Sequence, residues 1–249
     1  MGHGDASPKS PQGSALAAIR PRDAATLVII DQSTGEPRIL MGRRRPDQVF
    51  LPNKYVFPGG AVERADRFAP CADALRPSES AKLVIAMRGL PSLGRARALA
   101  LAAARETFEE AGLLIGERRA PPRTEASGVW ERFLAQGVVP RISAMTYFAR
   151  AITPPGRPRR YDTRFFCIEA SAIAHRVETL DGELSELDWF TFDDIRALDL
   201  PGITRVVVED LWDRLKSGLP GLDDAPVPFY FQRNGVAERV LIAAGSGSA

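Results

Sequence analysis

The stretch "AAARETFEEAGLLIG", residues 102–116, decides how the rest of the chain is read. Four charged side chains, Arg105, Glu106, Glu109 and Glu110, fall within six positions of an alanine-rich segment. Alanine is the strongest helix former and Gly112 stands where a helix would stop, so a helix is expected from about Gly94 to Ala111. At about 3.6 residues per turn, Glu106, Glu109 and Glu110 lie within an arc of roughly 100°, with Glu106 in the middle. Like charges so placed cost roughly 0.2–0.5 kcal/mol per pair. A divalent cation reverses that sign, because magnesium takes oxygen ligands and binds one or two carboxylates together with substrate phosphates. Arg105, four residues before Glu109, is spaced to orient that carboxylate. A solvated charged face is the other reading of this cluster, and the helix alone does not separate the two.

Composition narrows the chemistry. The 249 residues, 45% of them hydrophobic, suffice for one large domain with a full core. A formal net charge of +2 gives no bulk signature of a nucleic-acid protein, although the arginines cluster locally. Cys71 and Cys167 are too few for a disulfide scaffold or a cysteine zinc site, and they fit a reducing, cytoplasmic compartment. The only histidines are His3 and His175, so a multi-histidine zinc site is excluded and a Ser-His-Asp triad has His175 alone to draw on. Chemistry therefore falls to carboxylates and arginines. The longest small-apolar run, "ALALAAA" at 98–104, is far below membrane-spanning length, so no membrane segment is expected.

Strands are expected at 24–31 and 38–44, joined by the turn "QSTGEP", and at 142–152, 160–170 and 184–192. "KYVFPGG" (54–60) reads as a short strand running into a corner where glycines let the backbone approach a ligand. "GITRVVVEDLWDRLKSG" (202–218) is an amphipathic helix, and Asn234-Gly235 marks a hairpin near the end. "FYF" (229–231) and His175 read as structural. Residues 1–22 form a Pro/Gly/Ser-rich flexible leader and 244–249 a flexible tail. Between 67 and 97, Pro70, Pro77, Gly89 and Pro91 surround one short helix, "SESAKLVIAMR", which suggests an insertion rather than a core element. Residues 23–243 are expected to form a single α+β domain with a central mixed sheet.

"RETFEEAGLL" (105–114) resembles the second half of the Nudix hydrolase box, G-x5-E-x7-R-E-U-x-E-E-x-G-U, where U is bulky and apolar. Arg105, Glu106, Glu109, Glu110, Gly112 and Leu113 match, and Thr107 departs at the first U. "PGGAVERAD" resembles the first half, with Gly60 as the box glycine and Asp66 in place of the first Glu. Asp66 reads equally as a solvated loop residue. The halves are separated by 38 residues instead of seven, an insertion of 31. Such an interrupted box, with "YDTRFF" (161–166), is similar to the subgroup that includes the peroxisomal coenzyme A diphosphatases. The closing "SGSA" is not a Ser-Lys-Leu address, so the expected location stays cytoplasmic.

The resemblance implies a Nudix fold, an α/β/α sandwich around a mixed sheet, and hydrolysis of a diphosphate linkage in a small-molecule nucleotide. It implies that the Gly60 carbonyl, Glu106, Glu109 and Glu110 hold one to three Mg²⁺ or Mn²⁺ ions, with Arg105 beside them. Glu106 would be a metal ligand or water orienter. "DGELSELDWF" (181–190) offers Glu186 as a base and also contains Glu183, though an acidic surface loop explains both equally well. Arg43 and Arg45 in "GRRRPD" and Arg160 in "GRPRRYDTR" are candidate substrate ligands, since guanidinium suits bidentate phosphate recognition. Coenzyme A or an acyl-CoA is the leading substrate, giving 3′,5′-ADP and a phosphopantetheine product. ADP-ribose, NADH and dinucleoside polyphosphates compete with it, and a non-catalytic module binding a nucleotide or RNA is the alternative class. A homodimer is implied only by the family's habit.

Overall fold

The computed structural model describes residues 19–122, 126–179, 182–216 and 225–243. His3, most of the expected leader, Asp181 and the tail from 244 lie outside them. In chain order the elements are β1 (Arg22–Asp31), β2 (Arg38–Arg44), β3 (Tyr55–Val56), β4 (Gly59–Ala61), α1 (Pro77–Val84), α2 (Leu93–Ala111), β5 (Leu113–Arg118), α3 (Val129–Ala135), β6 (Val138–Pro140), β7 (Thr146–Ile152), β8 (Tyr161–Glu169), β9 (Ile173–Arg176), β10 (Leu184–Thr191), α4 (Phe192–Ala197), α5 (Gly202–Lys216), β11 (Val227–Arg233) and β12 (Val236–Ile242).

β1 is buried on both faces: Ala25, Leu27 and Ile29 enter one core, Val28 and Ile30 the other. That is why it reads as a nearly unbroken apolar run. Around it, among the described residues, the main sheet runs β10-β2-β1-β8-β7-β11-β12, with β3 beside β2 and β4 beside β1. β1 lies parallel to β8 and β7 parallel to β11, while the other pairs are antiparallel, so the sheet is mixed. A smaller sheet, β6-β5-β9, stands apart. Leu99, Leu101 and Phe108 of α2 and Phe133 of α3 pack on one face of the main sheet. Ile195 of α4 and Val207, Val208 and Leu211 of α5 pack on the other. The result is the expected α/β/α sandwich.

α2 is fixed at both ends by local chemistry. Ser92 Oγ accepts from Arg95 N–H at 3.4 Å, and Gly112 takes φ +66° as the C-cap, its N–H donating to Phe108 O at 3.0 Å. A Cβ on Gly112 would stand 2.1 Å from Val177 O, so crowding and backbone conformation both require glycine there. Ala98, Ala100, Ala102, Ala103 and Ala104 are all buried, and their small side chains let the helix lie close on its neighbours.

Residues 67–97 depart from expectation. Ala69, Leu75, Leu83 and Met87 join the same core as α2, and Glu79 and Lys82 are buried as a pair 2.7 Å apart. Prolines and charges hid this packing because the charges are compensated inside the fold. β5, β6, β9, α3 and α4 were also missed. Most are too short to show a period, although Val129, Trp130, Phe133 and Leu134 between Gly128 and Gly137 carried a helical signal.

Candidate active site

α2 and the β3–β4 corner are pressed together, and this contact builds the site. Glu106, Glu109 and Glu110 lie along one stretch of α2, with Glu106 at Gly60 and Glu110 at Gly59 of β4. Gly59 N–H donates to Glu110 Oε2 at 2.8 Å. A Cβ on Gly60 would meet Glu106 Oε1 at 2.4 Å, so glycine is what allows this carboxylate to touch the corner.

Arg105 is held from several sides. Its Nε donates to Asp66 Oδ1 at 2.8 Å, its Nη2 to Asp66 Oδ2 at 3.2 Å and Ala61 O at 2.9 Å, and its Nη1 to Glu109 Oε2 at 2.6 Å. Nη1 also lies 2.9 Å from Glu106 Oε1. Asp66 is fully buried and further accepts from Trp130 Nε1 at 3.0 Å and Glu63 N–H at 2.7 Å. The solvated-loop reading of Asp66 is therefore corrected: it anchors the guanidinium that orients Glu109, across the inserted residues. Trp130 was missed together with α3.

Electrostatically the cluster is short of positive charge. Burial, then repulsion from Glu109, push the Glu106 carboxyl up to about 7 against the pull of Arg105. Burial and the charge of Glu106 push Glu110 well above the carboxylate range. Burial works against the charge on Arg105, but Asp66, Glu106 and Glu109 together raise its pKa. The nearest further cation is Arg44, with Nη1 3.9 Å from Glu110 Oε1 and Nη2 3.3 Å from Glu183 Oε2. Three carboxylates, Asp66, Glu106 and Glu109, thus surround Arg105, while the fourth, Glu110, meets Gly59 N–H and Arg44. An oxygen-only, buried set with excess negative charge fits a hard divalent cation. Among the described residues, no three or more His, Cys, Asp or Glu side chains are gathered so as to hold a metal ion as they stand. Arg105 takes up Glu106 and Glu109, while Glu110 turns to Gly59.

The arginines divide by strand alternation. Arg44 shares the α2-facing side of β2 with Leu40 and meets Glu110, although Arg43 and Arg45 were the residues singled out. Arg43 pairs with Glu186 at 3.0 Å and Arg45 with Asp47 at 3.4 Å, both largely in solvent. Period-two alternation separates Arg44 from Arg43, but which of the two faces inward is set by the partners of β2. Arg160 is not brought to the carboxylates: its Nε donates to Thr153 O at 3.0 Å and its Nη1 to Ile19 O at 2.7 Å. Glu186 sits at a bulge of β10 with φ +50°, where it accepts from Tyr55 Oη at 2.6 Å and Arg43 at 3.0 Å, and these donors hold its carboxyl below the ordinary value. Glu183 is the acid of that loop that reaches the cluster.

This arrangement can be set beside known proteins. No family model matches the chain. Acyl-coenzyme A diphosphatase NUDT19 of Gallus gallus is 33% identical over 184 residues, covering 53% of this chain and 48% of that protein. A Caenorhabditis elegans protein named as nudix hydrolase 7 is 26% identical over 180 residues, covering 68% of this chain and 50% of its own length. The crystal structure of a NUDIX hydrolase from Alicyclobacillus acidocaldarius superposes with a TM-score of 0.59 at 25% identity, covering 78% of this chain and 91% of that one. In sequence and in fold the chain is similar to Nudix hydrolases. It spans about half the length of the curated Nudix relatives it matches. The two stretches that resemble the halves of a Nudix box, split in sequence, come together in space because Asp66 and Arg105 meet directly.

Proposed function

We propose that this chain is a metal-dependent diphosphohydrolase acting on a nucleoside diphosphate derivative, with coenzyme A or an acyl-CoA as its substrate. The observation that carries this is the gathering of Glu106, Glu109 and Glu110 on one stretch of α2, with Glu106 at Gly60 and the buried Glu110 at Gly59. Similarity to a protein named an acyl-coenzyme A diphosphatase supports the substrate.

Glu106, Glu109, Glu110 and the Gly60 carbonyl are the groups that would hold Mg²⁺ or Mn²⁺. When bound, such an ion neutralises phosphate charge and lowers the pKa of an attacking water. Arg105 orients Glu109, and Asp66 fixes Arg105. Arg43 and Arg45 stand at the end of β2 in weak exposed pairs, which they can exchange for substrate phosphates at little cost. The two free cysteines support a cytoplasmic setting. Among the described residues no helix is long and apolar enough to cross a membrane.

The test is hydrolysis of coenzyme A, an acyl-CoA, ADP-ribose, NADH and a diadenosine polyphosphate with Mg²⁺ or Mn²⁺, resolved by chromatography beside Glu109→Gln/Glu110→Gln. Release of 3′,5′-ADP from coenzyme A by the wild type alone is the expected result. Preferential cleavage of another compound moves the substrate assignment, and no turnover with either metal overturns the enzyme reading in favour of a ligand-binding module.

A further inference from the structure

Away from the carboxylates, a cleft of about 300 Å³ opens beside the first residues of β1, where Arg22 N–H donates to Arg160 O at 2.9 Å. Its walls include Arg20 before β1, Arg88 after α1, Arg160 before β8, Ile152 of β7, and Phe231 and Gln232 of β11. None of its lining residues is acidic, and none belongs to the box. Four stretches distant in sequence therefore bring three guanidinium groups to one concavity.

Arg160 is pre-set. Its two bonds to Thr153 O and Ile19 O fix the guanidinium plane, and its Nη2 has no partner among the described residues. The side chains of Arg20 and Arg88 likewise have no hydrogen bond or ion pair among those residues. Three uncompensated like charges around one cleft repel one another and attract a polyanion. Phe231 lies beside Phe229 with ring centroids 4.7 Å apart and planes tilted by 36°, the Arg150 guanidinium lies 4.1 Å from the Phe229 ring centroid, and the solvent-exposed Arg233 guanidinium lies 5.4 Å from the Phe231 ring centroid, from which a base can displace it. An aromatic face beside guanidinium forks matches a planar base that carries phosphate, by stacking on the one and charge-assisted hydrogen bonds to the other. The volume lies at the small end of ligand sites, which suits one mononucleotide.

We propose that this cleft is a second ligand site, separate from the carboxylates, for a purine nucleoside monophosphate. Its phosphate lies on Arg20, Arg88 and Arg160 and its base against Phe231.

Calorimetric titration of the full chain with AMP and with inorganic phosphate, in EDTA at low salt, tests this. The wild type is expected to bind AMP more tightly than phosphate. Arg20→Glu and Arg88→Glu, both at exposed positions, should each weaken AMP by about tenfold or more. Phe231→Ala should weaken AMP while sparing phosphate, and Glu109→Gln/Glu110→Gln should bind AMP as the wild type does. Absence of AMP binding by the wild type at millimolar concentration overturns the site, as do charge reversals without effect. Loss of binding in the box variant reassigns AMP to the carboxylates, and equal affinity for phosphate and AMP overturns the nucleotide assignment. The box variant and the absence of metal keep this result independent of whether the chain hydrolyses anything.

Discussion

At the scale of single residues, the site depends on atoms that are missing as much as on those present. Gly60 lacks a Cβ where one would stand 2.4 Å from Glu106 Oε1. Gly60→Ala is therefore expected to push the Glu106 carboxylate away from the corner while leaving the fold intact. Displacements of about 1 Å cost on the order of 100-fold in rate, so kcat with Mg²⁺ should fall by about that factor with the circular dichroism spectrum unchanged. Unchanged kcat would show that Glu106 needs no contact with the corner. Glu106, Glu109, Glu110 and Arg105 were legible in the sequence because residues three and four apart on a helix are neighbours. Arg44 was not distinguished from Arg43 and Arg45, because a run of arginines gives no sign of which one faces inward until the strand's partners are known.

At the scale of elements, the residues inserted into the box are locked to the sheet by a buried layer of charge. Arg150 of β7 grips Asp162 of β8 with Nε–Oδ1 2.8 Å and Nη2–Oδ2 2.7 Å, and its Nη1 donates to Ala86 O after α1. Arg164 stands 3.1 Å from the same Asp162 and bonds Asp23, which also accepts from Arg95 at the start of α2. Glu79 of α1 accepts from Tyr147 N–H at 2.7 Å. Removing one partner of a buried pair strands the other, so Asp162→Ala, which leaves the buried Arg150 without its carboxylate and Arg164 with Asp23 alone, should lower stability by about 3–5 kcal/mol. A urea unfolding curve measures this, and a loss below about 1 kcal/mol would show that water reaches the layer. The α2 element was legible from its composition and its glycine stop. The role of α1 was not, since paired interior charges look in a sequence like solvated ones.

At the scale of the whole molecule, acid should loosen the fold through carboxylates that it holds ionised. Asp73 is one of these. Burial pushes its carboxyl up, but Ser143, the Ile142 N–H and Arg141 outweigh that and hold it below the ordinary value. A depressed native pKa gives stability that is complete above the unfolded value and lost as pH falls through the native one. Stability should therefore drop below about pH 4, and Asp73→Asn should flatten that acid limb while lowering stability at pH 7. Unfolding curves at several pH values decide it, and parallel limbs in both proteins would remove Asp73 from the acid response. Much of the sandwich was foreseeable, because strand alternation, turn residues and helix periodicity are local codes. By itself the sequence determined the carboxylate face of α2, its end at Gly112, the glycine corner and most long strands, since each rests on spacings of a few residues. Only the tertiary structure decided that Asp66, itself held by Trp130, anchors Arg105, that Arg44 rather than its neighbours meets Glu110, that residues 67–97 belong to the core, and that Arg160 faces a different cleft. Those contacts join residues tens of positions apart, where no short-range period operates, and their energy comes from burial and charge pairing that exist only once the layers have closed.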